Sequence, residues 1–230
     1  MITKTILSSL AFFIAGVLQA YSQIYNLPAT GLKSHQTLEV TRVEITPKKT
    51  IIYVSIENRR NGGTFCADRN ISVILPTGNA LKLEKAVGIP RCPDVYKFKT
   101  VGEILDFTLE FPKLPAGTGY IDLIEQCQDN CFSVYGILLN DPFSRGIDNA
   151  MSYVNRGQTD SAIGMYQKLI SQAGEGEKGI LGSLYADLIT LLSSKGYTAN
   201  AAEWYRKLES SDIPSRELYL QNLNFRGIKY

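Results

Sequence analysis

From Thr37 onward, apolar and polar positions alternate with a period of two. The runs are LEVTRVEI, TIIYVSIEN, NISVILP, ALKLEKA, ILDFTLEF, YIDLIE and CFSVYGILL, and turn signals such as NGG at Asn61 and PTGN at Pro76 separate them. Short runs rich in Val, Ile, Thr, Phe and Tyr with this spacing predict β-strands. Seven of them in sequence predict an antiparallel two-sheet sandwich, with a small barrel as the other way to close the layers. In EILDFTLEF, Ile104, Asp106, Thr108 and Glu110 share one face. Leu105, Phe107, Leu109 and Phe111 share the other, which belongs in the core.

After Asp141 the period changes. Ala150, Tyr153 and Val154, then Ala162, Met165, Tyr166, Leu169 and Ile170, follow helical spacing until GEGEKG interrupts at Gly174. A second series runs through Leu181, Leu184, Tyr185, Leu188, Ile189, Leu191 and Leu192. The stretch GQTDSAIGMYQKL from Gly157 and the stretch GYTANAAEWYRKL from Gly196 share Gly, Thr, Ala, Tyr, Lys and Leu at positions 39 residues apart. This predicts helix, helix, charged loop, helix, helix, with Thr159 and Thr198 placed to cap the second helix of each pair.

The chain opens with Lys4, an apolar run from Ile6 to Leu18, and small residues at Ala20 and Ser22, the pattern of a secretory signal peptide cleaved after Ser22. That run is shorter than the roughly 20 residues a spanning helix needs, and none of that length follows, so the mature chain is expected to have no membrane span. The domain reading is therefore a signal peptide at 1–22, an N-terminal linker at 23–36, a β-sandwich at 37–140 and a helical domain at 141–230. An apolar content of 44% supports a real core. The formal charge of +2 falls to about +1 when Lys4 leaves with the leader. No basic stripe is present to attract nucleic acid.

Cys66, Cys92, Cys127 and Cys131 all fall in the strand-rich half. In an exported protein an even number of cysteines points to disulfides. Three pairings are possible, one of which joins Cys127 to Cys131 and Cys66 to Cys92. A four-thiolate zinc site is the competing reading, but the spacings lack the paired C-x-x-C knuckles common in such sites.

Two resemblances add to this. The segment GIPRCPDVYKFKTVGEILDFTLEFPKLPAGTGYIDLIE, followed by CFSVYGILL, resembles the immunoglobulin-like sandwich domain of uncharacterised secreted proteins from Bacteroidetes, over about Thr37 to Leu139. The resemblance implies a location outside the cytoplasm and a role in binding or assembly. The doubled helical stretch resembles the tetratricopeptide repeat. Ala162 and Ala201 match that family's small residue at the helix crossing, Tyr166 and Tyr205 its aromatic, and Leu169 and Leu208 its packing position. Its repeats run about 34 residues, so the period here implies an insertion at GEGEK, and the family's Trp-Leu-Gly signature is missing from the early part of each unit. The fold expected is α+β, an immunoglobulin-like sandwich followed by tetratricopeptide-like hairpins. Two hairpins are fewer than usually stand alone, and the link Asn140-Asp141-Pro142 is short, so docking on the sandwich is expected.

Catalytic chemistry has little to build on. The single histidine, His35, sits in the polar linker, where a Ser-His or Cys-His mechanism would have to be assembled around it. The acid pairs Asp106 with Glu110 and Asp122 with Glu125 could in principle serve a glycosidase, but solvated outward positions on strands account for them. No Walker-type or G-x-G-x-x-G loop occurs, and GEGEKG reads as a solvated loop. Among Tyr153, Tyr166, Tyr185, Trp204 and Tyr205, Tyr166 and Tyr205 read as hairpin core, while Trp204 is undecided between core and surface. The first helices of the two pairs would present Ile147, Met151, Val154 and Asn155, and Ala186, Thr190 and Ser193, as an interdomain or partner face without a basic residue. No catalytic residue, cofactor or metal is expected. The function expected is that of an exported, periplasmic or extracellular, non-enzymatic binding or scaffolding protein whose partner is another envelope protein. The alternative is a carbohydrate-binding accessory module, and the third option is a hydrolase with an unrecognised carboxylate pair.

Overall fold

The computed structural model describes residues 22–230, so the expected leader lies outside the described residues apart from Ser22. Its strands are β1 (Gln23–Asn26), β2 (Leu38–Ile45), β3 (Lys49–Glu57), β4 (Thr64–Phe65), β5 (Ile71–Ile74), β6 (Ala80–Lys82), β7 (Lys85–Val87), β8 (Tyr96–Lys97), β9 (Ile104–Pro112), β10 (Tyr120–Glu125) and β11 (Ser133–Leu138). Five helices follow: α1 (Asp141–Asn155), α2 (Thr159–Gln172), α3 (Lys178–Ser194), α4 (Thr198–Glu209) and α5 (Arg216–Phe225), with a 3-10 turn at Glu175–Glu177 before α3. The architecture is α+β, all-β then all-α.

The strands form two open sheets, β1-β2-β3-β9-β7 and β11-β10-β5-β6, plus the small pair β4-β8. Every strand pairing is antiparallel. The period-two pattern sets which face turns inward. Leu105, Phe107, Leu109 and Phe111 of β9 are buried with Ile52 and Val54 of β3, against Ile71, Val73, Ile121 and Leu123 of the opposite sheet.

Two strand-region expectations need correction. ALKLEKA is two strands in different sheets, because β6 pairs with β5 while β7 pairs with β9. The chain crosses between layers at Leu83 and Glu84, whose N–H groups donate to Ile71 in one sheet and Glu110 in the other. Residues 23–36 are built into the sandwich and are not a free linker. Their first part, β1, pairs with β2. After Leu27, which takes a positive φ of 45°, the backbone of Ala29, Gly31, Leu32 and Ser34 bonds to β11 and covers that edge.

In the helical half, Asn140 caps α1 by accepting from the Phe143 N–H at 3.1 Å. Thr159 and Thr198 are the first residues of α2 and α4, and neither helix has a side-chain cap. The repeated glycines do more of the work at these junctions. Gly157 and Gly196 close α1 and α3 at φ 70° and 76°, with paired N–H bonds reaching back from Gly157 to Val154, Gln158 to Tyr153, Gly196 to Ser193 and Tyr197 to Leu192. Ala162, Tyr166, Leu169, Ala201, Tyr205 and Leu208 are all buried. The pattern does not reveal α5, which seals the second hairpin with Tyr219, Leu220 and Leu223.

The helical half docks on the sandwich through α3, which packs on β10 and β11. Glycines let the backbones touch. A Cβ on Gly136 of β11 would lie 2.3 Å from the Gly179 carbonyl oxygen, and one on Gly119 would lie 2.4 Å from Gly176. GEGEKG is therefore a docking element and not a merely solvated loop. Glu177 within it accepts from Asn140 Nδ2 at 2.7 Å and from the Gly174 N–H at 2.9 Å. The face expected from the first helices of the pairs is not continuous. Ile147 and Ala186 are buried in two different clusters, Thr190 and Ser193 are half-buried, and Met151, Val154 and Asn155 are exposed.

Candidate functional site

The four cysteines form two disulfides, Cys66–Cys92 and Cys127–Cys131. No cysteine is left free to ligate zinc as a thiolate. Among the described residues, no group of three or more His, Cys, Asp or Glu side chains is arranged around a metal position. Both bridges line one cavity of about 630 Å3 at the Glu125 end of β10. A second cavity of about 470 Å3, lined by His35, Asn58, Arg59 and Arg60, shares Thr64, Phe65 and Asn130 with the first. The two make a continuous groove across the tip of the sandwich. The helical half meets the opposite end of β10, where Tyr120 packs on Gly179.

Glu125 organises the acidic half of this groove. Its side chain is buried, Oε1 accepts the Asp68 N–H at 2.7 Å, and Oε2 accepts the Phe132 N–H at 2.9 Å. Asp68 lies two residues past Cys66 and Phe132 one past Cys131, so one carboxylate ties both disulfide loops to the end of β10. Burial pushes the Glu125 carboxyl above the usual carboxylate range, the two N–H groups oppose that rise, and the charge of Asp68 adds to it. The expectation that Glu125 is a solvated outward acid is corrected here. Its partner in that expectation, Asp122, is half-buried and accepts the Gly136 N–H at 2.6 Å. Asp122 and Glu125 stand three positions apart on β10 and so point to opposite faces. Of the other pair, Asp106 is exposed and Glu110 pairs with Lys49 at 2.7 Å.

His35 lies in the other half of the groove. Its ring meets Phe65 edge-on, with centroids 5.8 Å apart. Burial lowers its pKa, a hydrogen bond with Asn130 opposes that shift, and the Arg60 charge reinforces it, so the ring is neutral at pH 7. Ser34 Oγ stands 2.9 Å from His35 Nδ1 and also accepts the Ser133 N–H at 2.8 Å. That hydroxyl bridges its chain neighbour to the edge of β11. Asn58, buried beneath the 59–63 loop, donates through Nδ2 to the Thr100 carbonyl at 2.7 Å and packs against Gly63. The lining is thus carboxylates and carboxamides at one end, guanidinium and imidazole at the other, held on rigid supports.

A separate cavity of about 600 Å3 lies between the sandwich turns and the helical half, beside the Lys178–Asp212 ion pair at 2.6 Å. Among the helical aromatics, Trp204 is half-buried, meets Tyr185 edge-on at 5.5 Å and is covered by Lys207 Nζ at 4.3 Å. Tyr153 is half-buried under Arg156. The site at the tip draws on segments scattered from residue 35 to residue 130; the sequence singles out its cysteines, His35 and Glu125 but gives no sign that they come together. Comparison with family models, with curated proteins and with solved structures finds no match to this chain.

Proposed function

We propose that this chain is an exported, non-enzymatic binding or scaffolding protein of the bacterial cell envelope that recognises another protein through the tip groove of its sandwich. The observation that carries the reading is the framing of that groove by two disulfides tied together through Glu125. A surface held in one conformation before contact loses less entropy on association. The bridges also favour an oxidising compartment, in keeping with the leader pattern and with the resemblance to secreted immunoglobulin-like domains. The first helix of the second hairpin is committed to the sandwich, which leaves the groove as the better candidate over the helical face. Protein is preferred to carbohydrate as the partner. The exposed aromatics among the described residues are Tyr197, Phe225 and Tyr230, all in the helical half, whereas a sugar platform needs them side by side on one sandwich face or loop.

The test is site-directed photo-cross-linking in envelope preparations of the native host. A cross-linking side chain at Gln128, on the groove rim, is expected to capture a discrete protein product. The same group at Glu209, exposed on α4, is expected not to. Equal capture from both positions, or none from Gln128, refutes the assignment.

A further inference from the structure

The groove has a polarity that the proposed binding role does not require. Among the described residues, its larger cavity is lined by Asp68, Glu125 and Asp129 and by no lysine or arginine. Its smaller cavity holds Arg59 and Arg60 with Glu57. Arg59 is paired with Glu57 at 2.9 Å, whereas Arg60 and Asp129 have no ion-pair partner among the described residues. The charges available to a ligand are therefore negative at one end and positive at the other.

Between the two ends runs β4. Both of its residues, Thr64 and Phe65, line both cavities. Among the described residues its only strand partner is β8, which leaves one edge of β4 unpaired there. An unpaired strand edge offers main-chain N–H and C=O groups to an incoming extended chain, with flanking pockets selecting its side chains. Adjacent residues of such a chain rise about 3.3 Å each, so side chains two apart reach past the two residues of β4 on either side.

Resting on the reading of the tip as the binding surface, we propose that the groove takes an extended polypeptide segment laid along β4, which places a basic side chain against Asp68 and Asp129 and an acidic one against Arg60. The partner is thus a protein displaying an exposed strand or loop with opposite charges two residues apart. Opposed charges at the two ends set register as well as attraction, because a segment carrying two like charges places one of them against its own sign.

The test uses the full disulfide-bonded chain, labelled for amide NMR, and acetylated, amidated pentapeptides. Thr-Lys-Val-Glu-Thr and its reverse carry opposite charges, while Thr-Lys-Val-Lys-Thr and Thr-Glu-Val-Glu-Thr carry like ones. At low ionic strength one or both mixed peptides are expected to bind about tenfold more tightly than either like-charged peptide, with shifts centred on Thr64 and Phe65. Asp129 and Arg60 are exposed, so charge reversal there leaves the core intact, which a thermal melt verifies. Asp129→Lys is expected to move the preference to the double-Glu peptide, and Arg60→Glu to the double-Lys peptide. Equal affinities across the series, an unchanged order in both variants, or shifts away from β4 overturn the proposal, as does no binding at millimolar peptide. If Gln128 still cross-links a protein partner while any of these holds, the charge-and-strand inference falls alone. If that cross-link is also absent, the tip assignment falls with it.

Discussion

Replacing Gly136 with alanine isolates the contact that joins the two halves. Gly136 sits where the register of β11 on β10 shifts between Ile121 and Leu123, at φ 60°, with its N–H bonded to Asp122. A left-handed conformation costs a non-glycine residue about 1–2 kcal/mol. The added Cβ would also lie 2.3 Å from the Gly179 oxygen, 2.8 Å from the Gly179 carbonyl carbon and 3.3 Å from the Ile180 nitrogen. All three are backbone atoms of α3, so no side chain can rotate away. Overpacking of this kind costs about 1–3 kcal/mol, and the two effects together cost about 2–5 kcal/mol, out of the roughly 5–15 kcal/mol that holds a typical protein folded. For a chain of this size each kcal/mol lowers the melting temperature by about 2–4 °C, so a fall of roughly 4–20 °C is expected by calorimetry. Gly78→Ala provides the control. Gly78 has φ 83°, and a Cβ added there would have no atom within 4 Å, so it carries the conformational cost without the collision. If the two variants melt together, the close backbone approach is not a stabilising contact and the docking argument is wrong.

Three other outcomes are expected. Titration of the unfolded, unreduced protein should find no free thiol; because the bridges span 26 and 4 residues, loop-closure entropy predicts that replacing Cys66 and Cys92 with serine costs about 3.5 kcal/mol and replacing Cys127 and Cys131 about 2 kcal/mol, which urea midpoints can rank. Ala201→Leu should cost about 1–3 kcal/mol, because Ala201 is 0% exposed; an unchanged melting temperature would remove the residue from the helix crossing. Burial pushes the Asp187 carboxyl from 3.8 up to about 6, against the opposing Arg226 charge and Tyr166 hydroxyl. The folded state therefore keeps a proton that the unfolded chain has already lost, and stability should fall by about 2–3 kcal/mol as pH rises from about 4 to about 6. Urea unfolding across that range should show a flatter dependence for Asp187→Asn, and an identical slope would contradict the assignment.

What the hydrophobic pattern reveals and what it conceals have physical reasons. It places β2 and β10 at their observed ends, because one wet and one dry face force alternation on the sequence. The repeated Ala, Tyr and Leu positions are legible for a similar reason, since a helix crossing admits few side chains. Glu125 escapes the pattern because an acid on a strand next to a turn looks the same whether it faces water or caps two loops. Only the fold brings the N–H groups of Asp68 and Phe132 to it. The segment 23–36 passes for a linker because its pairing is shared between two sheets and neither stretch is long enough to show a period. The short α5 follows a turn at Ile213-Pro214, and it buries Tyr219 against Gly182 and Gly31, partners far away in the chain. The groove is invisible as a unit, since its acidic and basic ends come from loops that have no periodicity of their own.

The glycine contacts also explain how two helical hairpins persist without a third. A stacked repeat exposes an apolar face at each end, and here each end has a different cover. On one side Leu138 of β11 enters the cluster formed by α1, α2 and α3, and Gly136 and Gly119 bring the sandwich backbone onto α3 and the turn before it. On the other side α5 closes over α4, with Tyr219 filling the space left by Gly182 of α3 and Gly31 of the edge segment on β11. That segment continues through Ser34 and His35 into the groove. The chain that seals the helical docking and the chain that lines the basic end of the tip are thus one stretch, residues 29–36. A direct connection between the docked helices and the tip groove follows from this continuity, and it requires no contact between the helices and the tip.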